Sequence, residues 1–584
     1  MLRIRRGVDV VVGLCVFSLI VGAVASPLSA QGVPGLERRI GPDQRPPELE
    51  LPAPQERPVL ERPAEPAPPS TGLEAPGAVR VLVRRVALVG NTVFPTEELE
   101  TITRQYEGRS LSSADLIELR DALTRHYVEH GYLNSGAVIP DQDVVDGVVT
   151  IRIIEGTLNQ IDIEGLDMLR QSYLEDRIRL RPWPPFAENA PLNENELRQR
   201  LQILLNDPAI ERLNARFGPG IRRGESRLEV EVQEAPRFEG ELRFNNFESP
   251  SVGEYRGETG LLVRSVLGYG DPLRLKAGFT EGLKDGEFSY ALPLTAWDLR
   301  AFVTGEITDS EVVEGDFKDL DIESRTMSIE FGLQAPVYRD TEHDISLSLS
   351  LARRRSQTYL DGRTFSFSPG ANDGQADVTA IRFVQDWLWR TLNQVAAVRS
   401  MMSFGIDALG STVNPTGPDS RFFAWLGQAQ YIRRLSDRDD QVVVRGDVQV
   451  TADPLLAIEQ YAVGGGDSVR GYQENQVVRD NGWNVSLEGR ISLVQAPIPL
   501  LGGEASGGWV QFAPFIDAGG GWNEQNKIAD QEVIYSIGAG LRWSPAPGML
   551  ATVYYGHGLT DVDTSIDNEG LQDHGIHLEV IAQF

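Results

Sequence analysis

From about residue 236 to the end of the chain, apolar and polar side chains alternate in segments of about ten residues, and this period limits what the chain can become. Ile345, Leu347, Leu349 and Leu351 are interleaved with Ser346, Ser348 and Ser350. Val442, Val444, Val448 and Val450 are interleaved with Arg445, Asp447 and Gln449, and Trp483, Val485, Leu487 and Ile491 with Asn484, Ser486, Glu488 and Arg490. Ile576, Leu578, Val580, Ala582 and Phe584 share one face at the C-terminus. Side chains of a strand point alternately to its two faces, so each segment is a strand with one apolar side. Beyond the first thirty residues no apolar run reaches the ~20 residues a membrane helix needs. A closed barrel is the other structure that can span a bilayer. A soluble β-sandwich has the same period, but here the polar face carries charge on strand after strand, as a wet lumen would. The 349 residues from 236 to 584, at about 22 per strand and connection, make about sixteen strands. The expectation is a transmembrane antiparallel β-barrel over residues 236–584.

The other end of the chain reads as an export signal. Arg3, Arg5 and Arg6 precede an apolar stretch over 10–25, and the small residues before 26 and at Ala30 suit a signal peptidase. A retained anchor is the alternative, and the stretch is short for one. Cleavage near residue 30 changes the net charge from −29 to −31 and removes Cys15, the chain's only cysteine. That excludes a disulfide framework, a thiol nucleophile and a cysteine metal site from the mature chain. A chain this acidic repels phosphate backbones, so no nucleic-acid partner is expected. Residues 31–78 follow as a linker: twelve of the forty-three residues from 34 to 76 are proline. Such a segment is extended and semi-rigid and buries no core.

Two units of similar pattern separate the linker from the barrel. In the first, over 79–156, a strand over 81–89 ends at Gly90-Asn91, and Pro95 opens a short helix. Ser112 with Asp115 forms a capping box ahead of Leu116, Leu119, Leu123 and Tyr127 at helical spacing. Strands near Ala137 and over 145–154 complete a β-α-α-β-β order. The second unit, over 157–235, repeats it with a strand over 161–163, a helix over 166–178, a helix capped by Asn193, and strands over 210–217 and 227–232. Pro182 to Pro185 reads as an inserted loop.

Three motifs invite catalytic or metal readings and carry little. His126-Tyr127-Val128-Glu129-His130 matches the H-x-x-E-H pattern of zinc peptidases, but no third ligand cluster exists among the four other histidines. Asp561-Val562-Asp563 begins like a calcium loop, yet Ile566 and Gln572 stand where glycine and glutamate belong. The glycines near Gly538 precede no helix, so they are no nucleotide fingerprint. No catalytic residue, cofactor or metal is expected.

The informative stretch is Gly464-Gly465-Gly466-Asp467-Ser468-Val469-Arg470-Gly471-Tyr472, a glycine-rich loop around 464–480 with one long cation at its tip. Phe515, Asp517 and Gly519 share one strand face, the one opposite Phe512, which would aim Asp517 into a lumen. A buried carboxylate there needs a partner, and Arg470 folded inward is a suitable bidentate one. A solvated outer loop beside an unrelated aspartate is the alternative, and the residues alone leave both open.

The tetrad Val469, Arg470, Gly471, Tyr472, followed by Phe515-x-Asp517-x-Gly519, resembles the outer-membrane transporters of two-partner secretion. These are the TpsB family of haemolysin secretion/activation and filamentous-haemagglutinin transporters (ShlB/FhaC/HecB-like). Residues 268–273 and 289–294 and the terminal Phe584 add to the likeness, which runs from about residue 79 onward. It implies a sixteen-stranded barrel with Arg470 of the sixth extracellular loop meeting Asp517 on the wall. The two β-α-α-β-β units become periplasmic POTRA domains, and Phe584 the C-terminal signal read by the barrel-assembly machinery. The implied partner is a large exoprotein of adhesin or haemolysin type, bound unfolded and passed outward through the outer membrane of a Gram-negative bacterium. A plug helix, frequent in the family, could come only from residues 35–40, which are short and polar. The rival readings are a barrel-assembly factor of the same superfamily, a small-solute porin and an exported metallohydrolase.

Overall fold

The computed structural model describes residues 60–61, 80–179, 191–222, 224–315, 317–502, 507–525, 532–562 and 570–584. The expected signal peptide, the candidate plug over 35–40, the Pro182–Pro185 loop and most of the Asp561 loop lie outside the described residues.

The first unit forms around helix α1 (Thr96–Thr103) and helix α2 (Ser113–Glu129). The Ser112 side chain accepts from the Asp115 N–H and the Asp115 carboxylate accepts from the Ser112 N–H, which ties off two donors at the start of α2. Leu119, Leu123 and Tyr127 are fully buried against Val149, Ile151 and Ile153. The strand expected over 81–89 is two strands. Val81–Val83 pairs with Arg109–Leu111, whereas Arg85–Val89 runs parallel to Val148–Ile154. The N–H groups of Arg84 and Arg85 both turn to the Gly147 carbonyl, so the chain changes partner there.

The second unit holds helix α3 (Gln171–Arg179) and helix α4 (Glu194–Leu204) against a sheet of Ile210–Pro219, Glu225–Glu234 and Thr157–Glu164. Helix α3 starts five residues later than its apolar spacing predicts. Gly165 sits at φ +87°, and the Glu234 carboxylate takes the N–H groups of Met168 and Leu169, which fixes that stretch as a turn. Within the linker, Leu60–Glu61 pairs in parallel with Ala215 and Arg216 at the sheet edge. Pro58 and Pro63 flank it and lack the N–H a longer strand would need.

Among the described residues sixteen strands close into one antiparallel barrel. They are β1 (Phe238–Asn245), β2 (Arg256–Val263), β3 (Leu273–Phe279), β4 (Leu283–Pro293), β5 (Arg300–Glu311), β6 (Ile322–Arg339), β7 (His343–Leu360) and β8 (Gln375–Arg390). The second half is β9 (Gln394–Gly405), β10 (Phe423–Arg434), β11 (Gln441–Thr451), β12 (Asn481–Gln495), β13 (Trp509–Trp522), β14 (Glu532–Trp543), β15 (Met549–Gly558) and β16 (Ile576–Gln583). Closure comes from β1 pairing with β16, extended by reciprocal bonds between Gly240 and Phe584 at 2.8 and 3.0 Å. The sequence period becomes the wall: on β13, Gln511, Ala513, Phe515 and Asp517 are buried while Phe512 and Ile516 are exposed. Exposed apolar side chains such as Leu349, Phe331 and Val553 form the lipid-facing surface.

Connections on the side of the two units are mostly short, as over 340–342 and 391–393, while those on the far side run long, as over 406–422 and 452–480. The second unit is latched to the near rim. Arg170 gives its backbone N–H to the Gly268 carbonyl and its Nε to the Leu267 carbonyl, both at 2.9 Å. Arg177 meets Asp298, in the turn between β4 and β5, at 2.5 Å. Burial acts to raise the Asp298 carboxyl, but Arg177, Arg300 and Arg339 override it and hold it below the usual carboxylate range.

Candidate functional site

Residues 452–480 between β11 and β12 do not stand out in solvent. Tyr461–Val463 pairs with Val477–Arg479, and Gly464 and Gly465, at φ +113° and +98°, turn the chain between them into the barrel. Val469 is fully buried with Tyr461, Val463, Val477 and Ile534.

Arg470 follows at the tip. Its Nε donates to Asp517 Oδ2 at 2.8 Å and its Nη2 to Asp517 Oδ1 at 3.0 Å, a bidentate fork, while its backbone N–H donates to Oδ2 at 3.1 Å. Nη1 donates to Glu488 Oε2 at 2.5 Å and Nη2 also reaches Ser486 Oγ at 3.1 Å, both on β12. The guanidinium lies 3.6 Å from the centroid of the Phe515 ring and 4.7 Å from that of Tyr554. Asp517 is wholly shielded from solvent, so the low dielectric strengthens each of these contacts.

Two glycines let the loop come this close. Gly471, at φ +93°, lies against the backbone of β15, where a Cβ would stand 2.8 Å from Gly556 carbonyl atoms. Its N–H donates to His577 Nε2 at 3.0 Å. A Cβ on Gly519 would stand 2.6 Å from Val463 Cγ1 and 3.0 Å from Val469 Cγ2. Tyr472 gives its hydroxyl to the Tyr535 carbonyl at 2.8 Å and takes the Thr560 N–H at 3.0 Å. All seven loop and wall residues singled out by sequence therefore meet in one lumenal cluster. Phe584 stands apart at the periplasmic seam, 76% exposed, its ring over Gly240.

Sequence reasoning missed Glu488, Ser486, Tyr554 and His577. Glu488 and Ser486 were visible as polar members of an alternating strand, but nothing local says which one faces the loop tip. The H-x-x-E-H residues decorate α2: His126 meets Glu98 at 3.1 Å, His130 meets the His126 carbonyl at 2.7 Å, and both rings pack on Phe94. Among the described residues no group of histidine, cysteine and carboxylate ligands could hold a metal ion.

The arrangement is a wall-anchored loop inside a barrel, and the comparisons with known proteins agree with it. Residues 224–543 match the family described as haemolysin secretion/activation protein ShlB/FhaC/HecB, and residues 81–156 match the ShlB-type POTRA domain. The chain is 26% identical over 528 residues to the outer membrane transporter CdiB of Escherichia coli O6:K15:H31, covering 85% of this chain and 81% of that one. It is 24% identical over 506 residues to the haemolysin transporter protein ShlB of Serratia marcescens, covering 81% and 84%. In fold it is similar to the solved CdiB from Escherichia coli, with a TM-score of 0.63 and 21% identity over 88% of this chain and 92% of that one. The chain belongs to the ShlB/FhaC/HecB haemolysin secretion/activation family, the outer-membrane β-barrel transporters of two-partner secretion with periplasmic POTRA domains.

Proposed function

We propose that this transporter recognises one partner exoprotein in the periplasm, holds it unfolded on its two β-α-α-β-β units, and passes it through the barrel to the cell surface. The observation that supports the reading is the latch of the second unit on the barrel rim through Arg177 and Asp298, which holds that unit against the near end of the barrel. An extended chain can add a strand to a sheet edge, with main-chain hydrogen bonds giving affinity and alternate side chains specificity. Transport is passive and no chemistry is performed on the cargo. Folding of the cargo outside supplies direction. The cargo is a large protein of adhesin or haemolysin type, and the barrel itself is delivered to the outer-membrane lipid by the barrel-assembly machinery, which reads Phe584.

The test is fractionation of cells that make the chain together with a large, repeat-rich exported protein encoded beside it. Removing the transporter should move that protein from the medium to the periplasm and leave other outer-membrane proteins at their normal level. A general loss of outer-membrane proteins would mark an assembly factor instead. Unchanged secretion with lowered solute uptake would mark a porin.

A further inference from the structure

The long loop makes a second buried contact with the wall, eleven residues before the Arg470 tip and on a different sector of the barrel. In its first leg, Leu455, Leu456 and Ile458 pack on Ala376, Val378 and Ala380 of β8 and on Ala424 of β10. Glu459 follows in a single turn of 3₁₀ helix and is buried. Its carboxylate meets Arg382 of β8 at 3.2 Å and Arg354 of β7 at 3.4 Å. Arg354 also donates to the Ile458 carbonyl at 3.2 Å, and Gln449 of β11 donates to the Glu459 carbonyl at 3.0 Å. Arg382, 2% exposed, faces Glu330 of β6 at 3.5 Å, and Glu306 of β5 adds its charge to the same cluster near Arg354.

We propose that Glu459 is a positioning residue that anchors the first leg of the loop to the β6–β8 sector of the wall, independently of the Arg470 anchor on β12 and β13. The shared contact is the reason. Taking Glu459 away removes a carboxylate that bonds both Arg354 and Arg382, and losing one partner of a buried charge cluster is strongly unfavourable. The leg would then keep its apolar contacts and its main-chain bonds to Gln449 and Asp480, but lose its charged tie to β7 and β8. The tip carries its own fork to Asp517 and its own aromatic seat, so it has no need of Glu459. The loop is thus held at two sectors of wall, and clearing the lumen requires both to let go.

Hydrogen exchange read by mass spectrometry on the full chain in lipid vesicles separates the two anchors. In Glu459→Gln, exchange over 455–463 should rise about tenfold or more while 465–472 keeps its native protection. Arg470→Ala should give the reverse pattern. Glu459→Asp, which keeps the charge on a shorter arm, should restore most of the protection of the leg. Arg354→Gln breaks the contact from the wall side and should reproduce Glu459→Gln, and combining the two should add little to either. Unchanged exchange over 455–463 in both neutral variants would overturn the proposal. So would release of leg and tip together, since the loop would then be one unit held at one place. Failure of both neutral variants to assemble a heat-modifiable barrel would assign Glu459 to folding, and the positioning role would fall.

Discussion

Arg470 and Asp517 lie 47 residues apart, one on a loop tip and one on β13, and the guanidinium of the first forks onto the carboxylate of the second at 2.8 and 3.0 Å with no solvent at the aspartate. The contact joins the lumenal loop to the barrel wall, and its partners differ in what their loss leaves behind. Arg470→Ala strands the buried carboxylate of Asp517 and leaves Glu488 with Arg490 as its arginine partner at 2.8 Å, whereas Asp517→Ala leaves Arg470 its bond to Glu488. Both should impair secretion while leaving insertion largely intact, with Arg470→Ala the more severe. Stranding a buried charge costs about 3–5 kcal/mol. The double variant should be little worse than Arg470→Ala alone, because the contact is lost once. Quantifying surface cargo against heat-modifiable barrel checks this, and strictly additive defects would mean two separate roles.

Steric fit gives a second expectation. Gly519→Ala places a methyl against Val463 and Val469 and should push the loop off the wall, costing about 1–3 kcal/mol. Gly446→Ala on β11 serves as the control, since its new Cβ meets nothing closer than 3.4 Å. Denaturant midpoints of the purified chain should fall for the first and stay put for the second.

The rim latch responds to acid. Asp298 has a folded pKa below its unfolded value of about 3.9, so its contribution is complete above that value and is lost as pH falls through the folded one. Between pH 6 and pH 3, the protection of α3, corrected for the intrinsic amide rate at each pH, should be flat at first and then fall at the acid end. Asp298→Asn should show weaker protection of α3 throughout and no fall in this range. A native profile unchanged down to pH 3 would remove the carboxylate from the latch.

Deleting Phe584 should lower the amount of heat-modifiable barrel in the outer membrane. The residue also closes the seam by pairing with Gly240, so Phe584→Ala, which keeps that backbone pairing, isolates the side chain. If Phe584→Ala inserts as well as the native chain while the deletion does not, the backbone pairing and not the aromatic signal is what assembly needs.

The barrel was legible because period two and a wet interior write themselves along every strand, as in Ser346 to Leu351. The helix caps were legible for a similar reason: Ser112 and Asp115 interact three residues apart. The split at Arg84 and the late start of α3 were not. Both are decided by distant groups, the Gly147 carbonyl and the Glu234 carboxylate. In the loop cluster, alternation placed Phe515, Asp517 and Gly519 on one face, but Glu488 and Tyr554 reach Arg470 only through barrel closure. Sequence spacing records a strand's two faces and not which neighbour stands across the lumen. Glu459 was invisible for the same reason, an acidic residue in a loop like many others.

Site-specific crosslinking to a cargo arrested in transit tests the central claim most directly. A tightly folded module fused to the C-terminus of the partner exoprotein should stall it inside the pore. A photo-crosslinker at Ser350, buried on the lumenal face of β7, should then capture the cargo, and one at its neighbour Leu349, 58% exposed on the lipid face, should not. Capture at Ser350 alone is the predicted result. Capture at neither position, or equally at both, would contradict passage of the cargo through the barrel.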